Sequence, residues 1–193
     1  MKTLLLFLSG LLFVSFSVAA PSKAEEQTHY KSFKTPTTIQ GITVIGEVEY
    51  YKSDTMEFAR LAHDDTVFGQ WFLAGTGIHM TKDGRIDWCF LPKDCKIQGH
   101  TFSGGGHEWM TEFYPSGKLK SGGLAEEELI DGIPCAPGTF WNEVFGGGGR
   151  TYFYESGKLM YAKVAHEVTY QGHLIEKGKH IKLKEDGSFE LVK

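Results

Sequence analysis

Phe113-Tyr114-Pro115-Ser116-Gly117-Lys118-Leu119 and Phe153-Tyr154-Glu155-Ser156-Gly157-Lys158-Leu159 are two copies of one pattern: an aromatic pair, a turn closed by glycine, then Lys-Leu. The turn glycine recurs at Gly84 after Lys82-Asp83 and at Gly187 after Glu185-Asp186. Fifteen residues beyond Gly84, Gly117 and Gly157 stands a second glycine, Gly99, Gly132 or Gly172, and Asp54 to Gly69 repeats the interval. Six residues further comes a third, at Gly75, Gly105, Gly138 and Gly178. A fixed internal period of this kind is the signature of a repeat architecture.

Aligning the units on the turn assigns the inward positions. The second residue after the turn is Met56, Ile86, Leu119, Leu159 or Phe189, and the seventh is Leu61, Leu91, Leu124 or Val164, apolar every time. An Ala or Pro follows, then an acid at Asp64, Asp94, Glu127 or Glu167, which predicts a chain reversal. Ile39-Gln40-Gly41 matches Ile97-Gln98-Gly99, so a partial unit opens the series near Ile39. Glycine held at the third register predicts positive φ or close backbone approach there.

Each main turn is preceded by a strand of period two. Val48/Tyr50, Ile78/Met80, Thr111/Phe113, Thr151/Phe153 and Ile181/Leu183 are assigned to the core, and Glu49/Tyr51, His79/Thr81, Glu112/Tyr114, Tyr152/Tyr154 and Lys182/Lys184 to the other face. No stretch after the N-terminal apolar segment carries a helical stripe. One unit buries too few side chains to offset the entropy of ordering itself, so neighbours must share a core and a hydrogen-bond ladder. The expected fold is all-β: an elongated, twisted antiparallel sheet of stacked hairpins, with a β-solenoid as the alternative.

Phe113–Leu119 and Phe153–Leu159 resemble the aromatic-Tyr-x-x-Gly-Lys-Leu core of the bacterial MORN-variant, antitoxin-like repeats. The resemblance extends from about Ile39 to the C-terminus, with Asp54 in place of the turn glycine in the first unit. It implies a hairpin-repeat scaffold that mediates binding.

Met1-Lys2, the apolar run Leu4 to Val18 and the small residues Ser17-Val18-Ala19 read as a secretory signal peptide cleaved after Ala19. The expected organisation is a signal peptide at 1–19, a flexible polar lead-in at 20–38 and one β-repeat domain of about four and a half units at 39–193. This places the chain in the periplasm or outside the cell, with no transmembrane segment after signal removal. A net charge of −4 provides no electrostatic footprint for nucleic acid.

Two units break the period. Extra residues after the third glycine carry Ser103-Gly104-Gly105-Gly106-His107-Glu108-Trp109 in one unit, and Phe140-Trp141-Asn142-Glu143 followed by Gly146 to Gly149 and Arg150 in the next. Insertions in a repeat array map to loops on one face. His107, Glu108, Trp109, Trp141, Glu143 and Arg150, with the outward Tyr152 and Tyr154, are therefore the candidate binding residues. Neither glycine tract has a phosphate-loop or dinucleotide fingerprint, and neither His-Glu pair is followed by a second histidine at helical spacing. No cofactor, metal or catalytic residue is assigned. Cys89 and Cys95 flank Phe90-Leu91-Pro92-Lys93-Asp94 and are expected to form a disulfide, with Cys95–Cys135 as competitor; otherwise Cys135 is a small core residue at the register of Phe72, Phe102 and Ile175.

Three functional readings follow. The first is an exported scaffold that binds a protein or glycan partner through the inserts, the second a structural envelope or surface protein, and the third an enzyme with its site near His107 and Arg150.

Overall fold

The computed structural model describes residues 29–105, 110–138 and 149–192. Its basic device is the main turn. Tyr114 N–H donates to Lys118 O at 2.7 Å and Gly117 N–H to Tyr114 O at 2.8 Å. The same pair of bonds forms at Tyr51–Thr55, Thr81–Arg85, Tyr154–Lys158 and Lys184–Ser188. This is a type I turn followed by one left-handed residue, a hairpin geometry that suits glycine. Gly117 has φ 80° and Asp54 φ 58°; Asp is among the few L-residues that tolerate that region, so the first unit turns without glycine.

The described residues begin with β1 (His29–Ile39) and β2 (Ile42–Tyr50). From β3 (Met56–Leu61) it leaves into a two-stranded ribbon, β4 (Asp65–Val67) and β5 (Gln70–Phe72), and returns as β6 (Gly77–Met80). The excursion recurs from β7 (Ile86–Phe90) through β8 (Cys95–Ile97) and β9 (His100–Phe102) to β10 (Met110–Phe113). It recurs again from β11 (Leu119–Gly122) through β12 (Glu128–Ile130) and β13 (Ile133–Cys135) to β14 (Thr151–Phe153). The last excursion runs from β15 (Leu159–Lys163) through β16 (Val168–Tyr170) and β17 (His173–Ile175) to β18 (His180–Leu183), and β19 (Phe189–Val192) ends the series.

All four excursions return beside the strand they left. The result is one 11-stranded antiparallel sheet in the order β1-β2-β3-β6-β7-β10-β11-β14-β15-β18-β19, open at both ends, and four separate two-stranded ribbons. Ten inter-strand gaps make it roughly 48 Å across. The stacked-hairpin expectation holds and the solenoid does not. Among the described residues there is no helix, and so none long and apolar enough to cross a membrane.

Each ribbon, like the β1–β2 hairpin, ends in an x-Gly tip with both residues at positive φ, the type I′ geometry. The x residues are Gln40, Phe68, Gln98, Asp131 and Gln171, at φ 46–50°. Gln98 then reaches the next main turn: its Nε2 donates to Gly117 O at 2.8 Å and its Oε1 accepts from Leu119 N–H at 3.0 Å. Gln40 makes both bonds, to Asp54 O and from Met56 N–H; Asp131 accepts from Leu159 N–H at 2.8 Å, and Gln171 donates to Gly187 O at 2.9 Å. At the opposite end of two ribbons the acids assigned to the second reversal close the loop, Asp64 accepting from Ala74 N–H and Asp94 from Gly104 N–H.

The core lies between one face of the sheet and the ribbons. All five inward pairs read from the sequence are at most 5% exposed, and Val67, Phe72, Ile97, Phe102, Ile133, Cys135 and Ile175 descend on them from the ribbons. Beneath the ribbons the sheet is kept thin by Ala59, Cys89, Gly122 and Ala162 at one register; a Cβ on Gly122 would come within 2.5 Å of the Phe102 ring.

The expected Cys89–Cys95 disulfide is not formed in this structure. Cys89 is a small spacer pointing from the sheet into the core, while Cys95 enters from the β8–β9 ribbon, and both are free buried thiols, as is Cys135. Desolvation raises all three thiol pKa values, that of Cys135 to about 12. The lead-in is corrected too. His29–Ile39 is not a flexible polar segment but an edge strand, paired with β2 through the Gln40-Gly41 tip and interrupted by a register shift between Phe33 and Thr37. Its polar composition suits an edge, where Lys and Pro discourage further pairing. The leader at 1–19 and residues 20–28 lie outside the described residues.

Candidate functional site

The face of the sheet away from the ribbons is shaped by a repeated β-bulge. Glu49 pairs with Phe58 but Tyr50 with Met56, so Glu57 and Phe58 stand side by side opposite Glu49. The same slip occurs between β6 and β7, β10 and β11, and β14 and β15. It presents Asp87/Trp88, Lys120/Ser121 and Met160/Tyr161 as further outward doublets, where strict alternation would present one residue. Between β18 and β19 the register runs without a slip.

Pairing lines these positions into one row across the sheet: Phe58, His79, Trp88, Glu112, Ser121, Tyr152, Tyr161 and Lys182, each opposite the next. At one end His79 stacks on Trp88 at 4.5 Å, with Phe58 5.7 Å and Phe90 4.8 Å from the Trp88 ring. At the other, Tyr161 stands 5.8 Å from Tyr152 edge-on and stacks on His180 at 5.4 Å. Aromatic contacts of this geometry add specificity to simple burial.

Between the two aromatic groups sits a polar knot. Arg150 Nη2 donates to Met110 O at 2.9 Å and to Ser121 Oγ at 2.7 Å, and lies 3.4 Å from Glu112 Oε1. Ser121 Oγ donates to Glu112 Oε2 at 2.9 Å, and Lys120 Nζ is 3.5 Å from the same oxygen. The Arg150 side chain is only 12% exposed, so this pair is largely withdrawn from water and fixes the strand ends to each other. Met110 follows the first insert and Arg150 the second. The two inserts therefore join the sheet at β10 and β14, which flank β11, and Arg150 reaches across β11 to connect them.

Charge on this face is uneven. His79 lies between Glu57, 3.9 Å from Nε2, and Asp87, 3.3 Å from Nδ1. Glu49 nearby has its pKa raised by desolvation and then by the Glu57 and Glu47 carboxylates, with His79 opposing. Desolvation, followed by Tyr152, raises the Tyr161 phenol. Among the described residues no group of three or more His, Cys, Asp or Glu side chains is arranged to hold a metal ion.

Of the residues singled out in the sequence, His107, Glu108, Trp109, Trp141 and Glu143 lie outside the described residues. Arg150 and Tyr152 lie in or against the row. Tyr154 braces the fold instead, its hydroxyl donating to Leu183 O at 2.9 Å in the next unit, as Tyr114 does to Phe153 O and Tyr51 to Met80 O. Sequence reading missed Phe58, His79, Trp88 and Tyr161. A bulge has no residue signature of its own here, but the adjacent outward doublets Asp87-Trp88 and Met160-Tyr161 at one repeat register were its trace. Comparison of the chain with protein-family models, curated proteins and solved structures finds no match.

Proposed function

We propose that this chain is an exported, non-enzymatic binding scaffold of the MORN-variant hairpin-repeat kind, engaging a macromolecular partner on the open face of the sheet where the two inserts enter. The observation that carries the reading is the row itself: rings from Phe58 to Tyr161 held in register over many strands, with the withdrawn Arg150–Glu112 pair at its centre. The fold buries its core on the opposite face, so the hairpin ladder alone does not call for aromatic side chains here. Aromatic groups around a desolvated charged pair are the composition of an interface centre. The heptapeptides Phe113–Leu119 and Phe153–Leu159 support the family reading, and the apolar N-terminal run supports export. Edge-to-edge assembly is less well supported, because β1 carries Lys31, Lys34, Pro36 and a register break.

The test is capture from the native compartment with the whole chain as bait, followed by rebinding of each purified candidate. Trp88→Ala combined with Tyr161→Ala, and separately a shortened 139–148 segment, are expected to lose the same partner while keeping the wild-type melting profile. An unchanged partner set with both baits would refute the reading.

A further inference from the structure

Among the described residues five hairpin tips share the x-Gly turn, and at four of them the x side chain latches the next main turn: Gln40, Gln98, Asp131 and Gln171. The fifth is Phe68, at φ 50° and 56% exposed. A bulky L-residue in the left-handed region is a conformational outlier, and a benzyl group cannot make the latch. At one tip only, the protein forgoes a hydrogen-bonded brace and accepts backbone strain in order to hold an aromatic ring in solvent. Strain retained at a tip that makes no latch is a pointer to function.

The ring borders a groove of about 430 Å³ between the ribbon tips and the main turns, lined also by Gln98, Ser116, Lys118 and Ser156. A hollow of about 310 Å³ adjoins it, where Phe68 meets Arg85 and Pro115. These volumes suit a small molecule or one sugar unit of a chain. Among the described residues, the lining comprises one flat ring, two hydroxyls, two cations and no carboxylate. Arg85 is engaged by Asp83 on one side and donates to Pro115 O at 3.4 Å, leaving Lys118 as the nearest cation in the larger groove. The latch fixes the Gln98 carboxamide, so that wall is preformed. The apolar lining is confined to Phe68, Ile86 and Pro115, and the larger groove sets the ring beside hydroxyls and a cation, a mixture that suits one sugar ring.

We propose that this groove is a binding site for an acidic saccharide, one pyranose face stacked on Phe68 with its carboxylate toward Lys118. The site lies at the main-turn end of the sheet, at the other end of the strands from Met110 and Arg150, and stands independently of the partner surface proposed above.

Amide-resolved NMR titration of the whole chain tests it, with trigalacturonate as the acidic probe, maltotriose as the neutral one and triglutamate as the acidic peptide. Trigalacturonate is expected to shift Gly69, Ser116, Gly117 and Gly157. Phe68→Gln is expected to weaken binding about tenfold or more, as loss of a central aromatic contact does, yet to melt no lower than wild type, since Gln restores the latch. Phe68→Ala provides the same binding readout if the Gln variant does not fold, and Trp88→Ala, on the other face, is expected to leave the shifts intact. Absence of shifts with trigalacturonate, shifts that survive both Phe68 variants, equal affinity for maltotriose, or shifts from triglutamate alone would each overturn the proposal.

Discussion

Replacing Gln98 with Ala removes both halves of one latch, the donor to Gly117 O and the acceptor for Leu119 N–H. A net intramolecular hydrogen bond contributes about 0.5–1.5 kcal/mol. Gln98 is exposed, which favours the lower end for the bond to Gly117, whereas Leu119 is 4% exposed and its amide is poorly placed to find water. The expected loss is therefore about 1–2 kcal/mol, or roughly 2–8 °C in melting temperature for a chain of this size. Urea unfolding should show a lower midpoint at unchanged slope, and amide exchange should accelerate most at Leu119. Gln98→Glu keeps the acceptor and loses the donor, the arrangement Asp131 uses with Leu159 N–H. It should retain Leu119 protection and lose about half as much stability. A Gln98→Ala protein within about 0.3 kcal/mol of wild type, with Leu119 exchange unaltered, would refute the idea that the tips brace the turns.

Two further outcomes are expected. The Cys135 thiol has its pKa raised from 9.0 to about 12 by burial, so above pH 9 the unfolded chain releases its proton first and the native state holds more protons. Stability from this group is intact below pH 9 and falls by about 1.4 kcal/mol per pH unit up to the folded value; the decline should be measurably shallower in Cys135→Ala, and identical slopes would contradict the burial. Tyr154→Phe should cost about 0.5–1.5 kcal/mol through the lost bond to Leu183 O, with partner capture unchanged; loss of capture at full stability would return Tyr154 to the binding surface.

The fold was legible because its constraints are local. Positive φ at Gly84, Gly117, Gly157 and Gly187, the third-register values at Gly75, Gly105 and Gly178, and the close approach of Gly138 to Gly123 each demand glycine, and each recurs at a fixed interval. Burial of Val48, Ile78, Phe153 and Leu183 followed from period two. What escaped depended on cross-strand relations. Whether Glu57 and Phe58 share a face depends on a slip against Glu49, which pairing alone reveals. Polar β1 shows no apolar alternation, and it is ordered by β2 and one tip. Phe68 was hidden for another reason: an apolar residue among turn residues looks ordinary until its four polar counterparts are seen to work as latches.

The latches also give the array a direction. Each of the four latching tips reaches forward to the turn of the following unit, and the last, Gln171, closes on Gly187 in the hairpin β18–β19, with no ribbon after it among the described residues. A cut between units would separate a brace from the turn it holds, so the smallest exchangeable module is not the sequence repeat. It runs from one tip to the turn it secures, and lengthening or shortening the protein cleanly means adding or removing pieces in that frame.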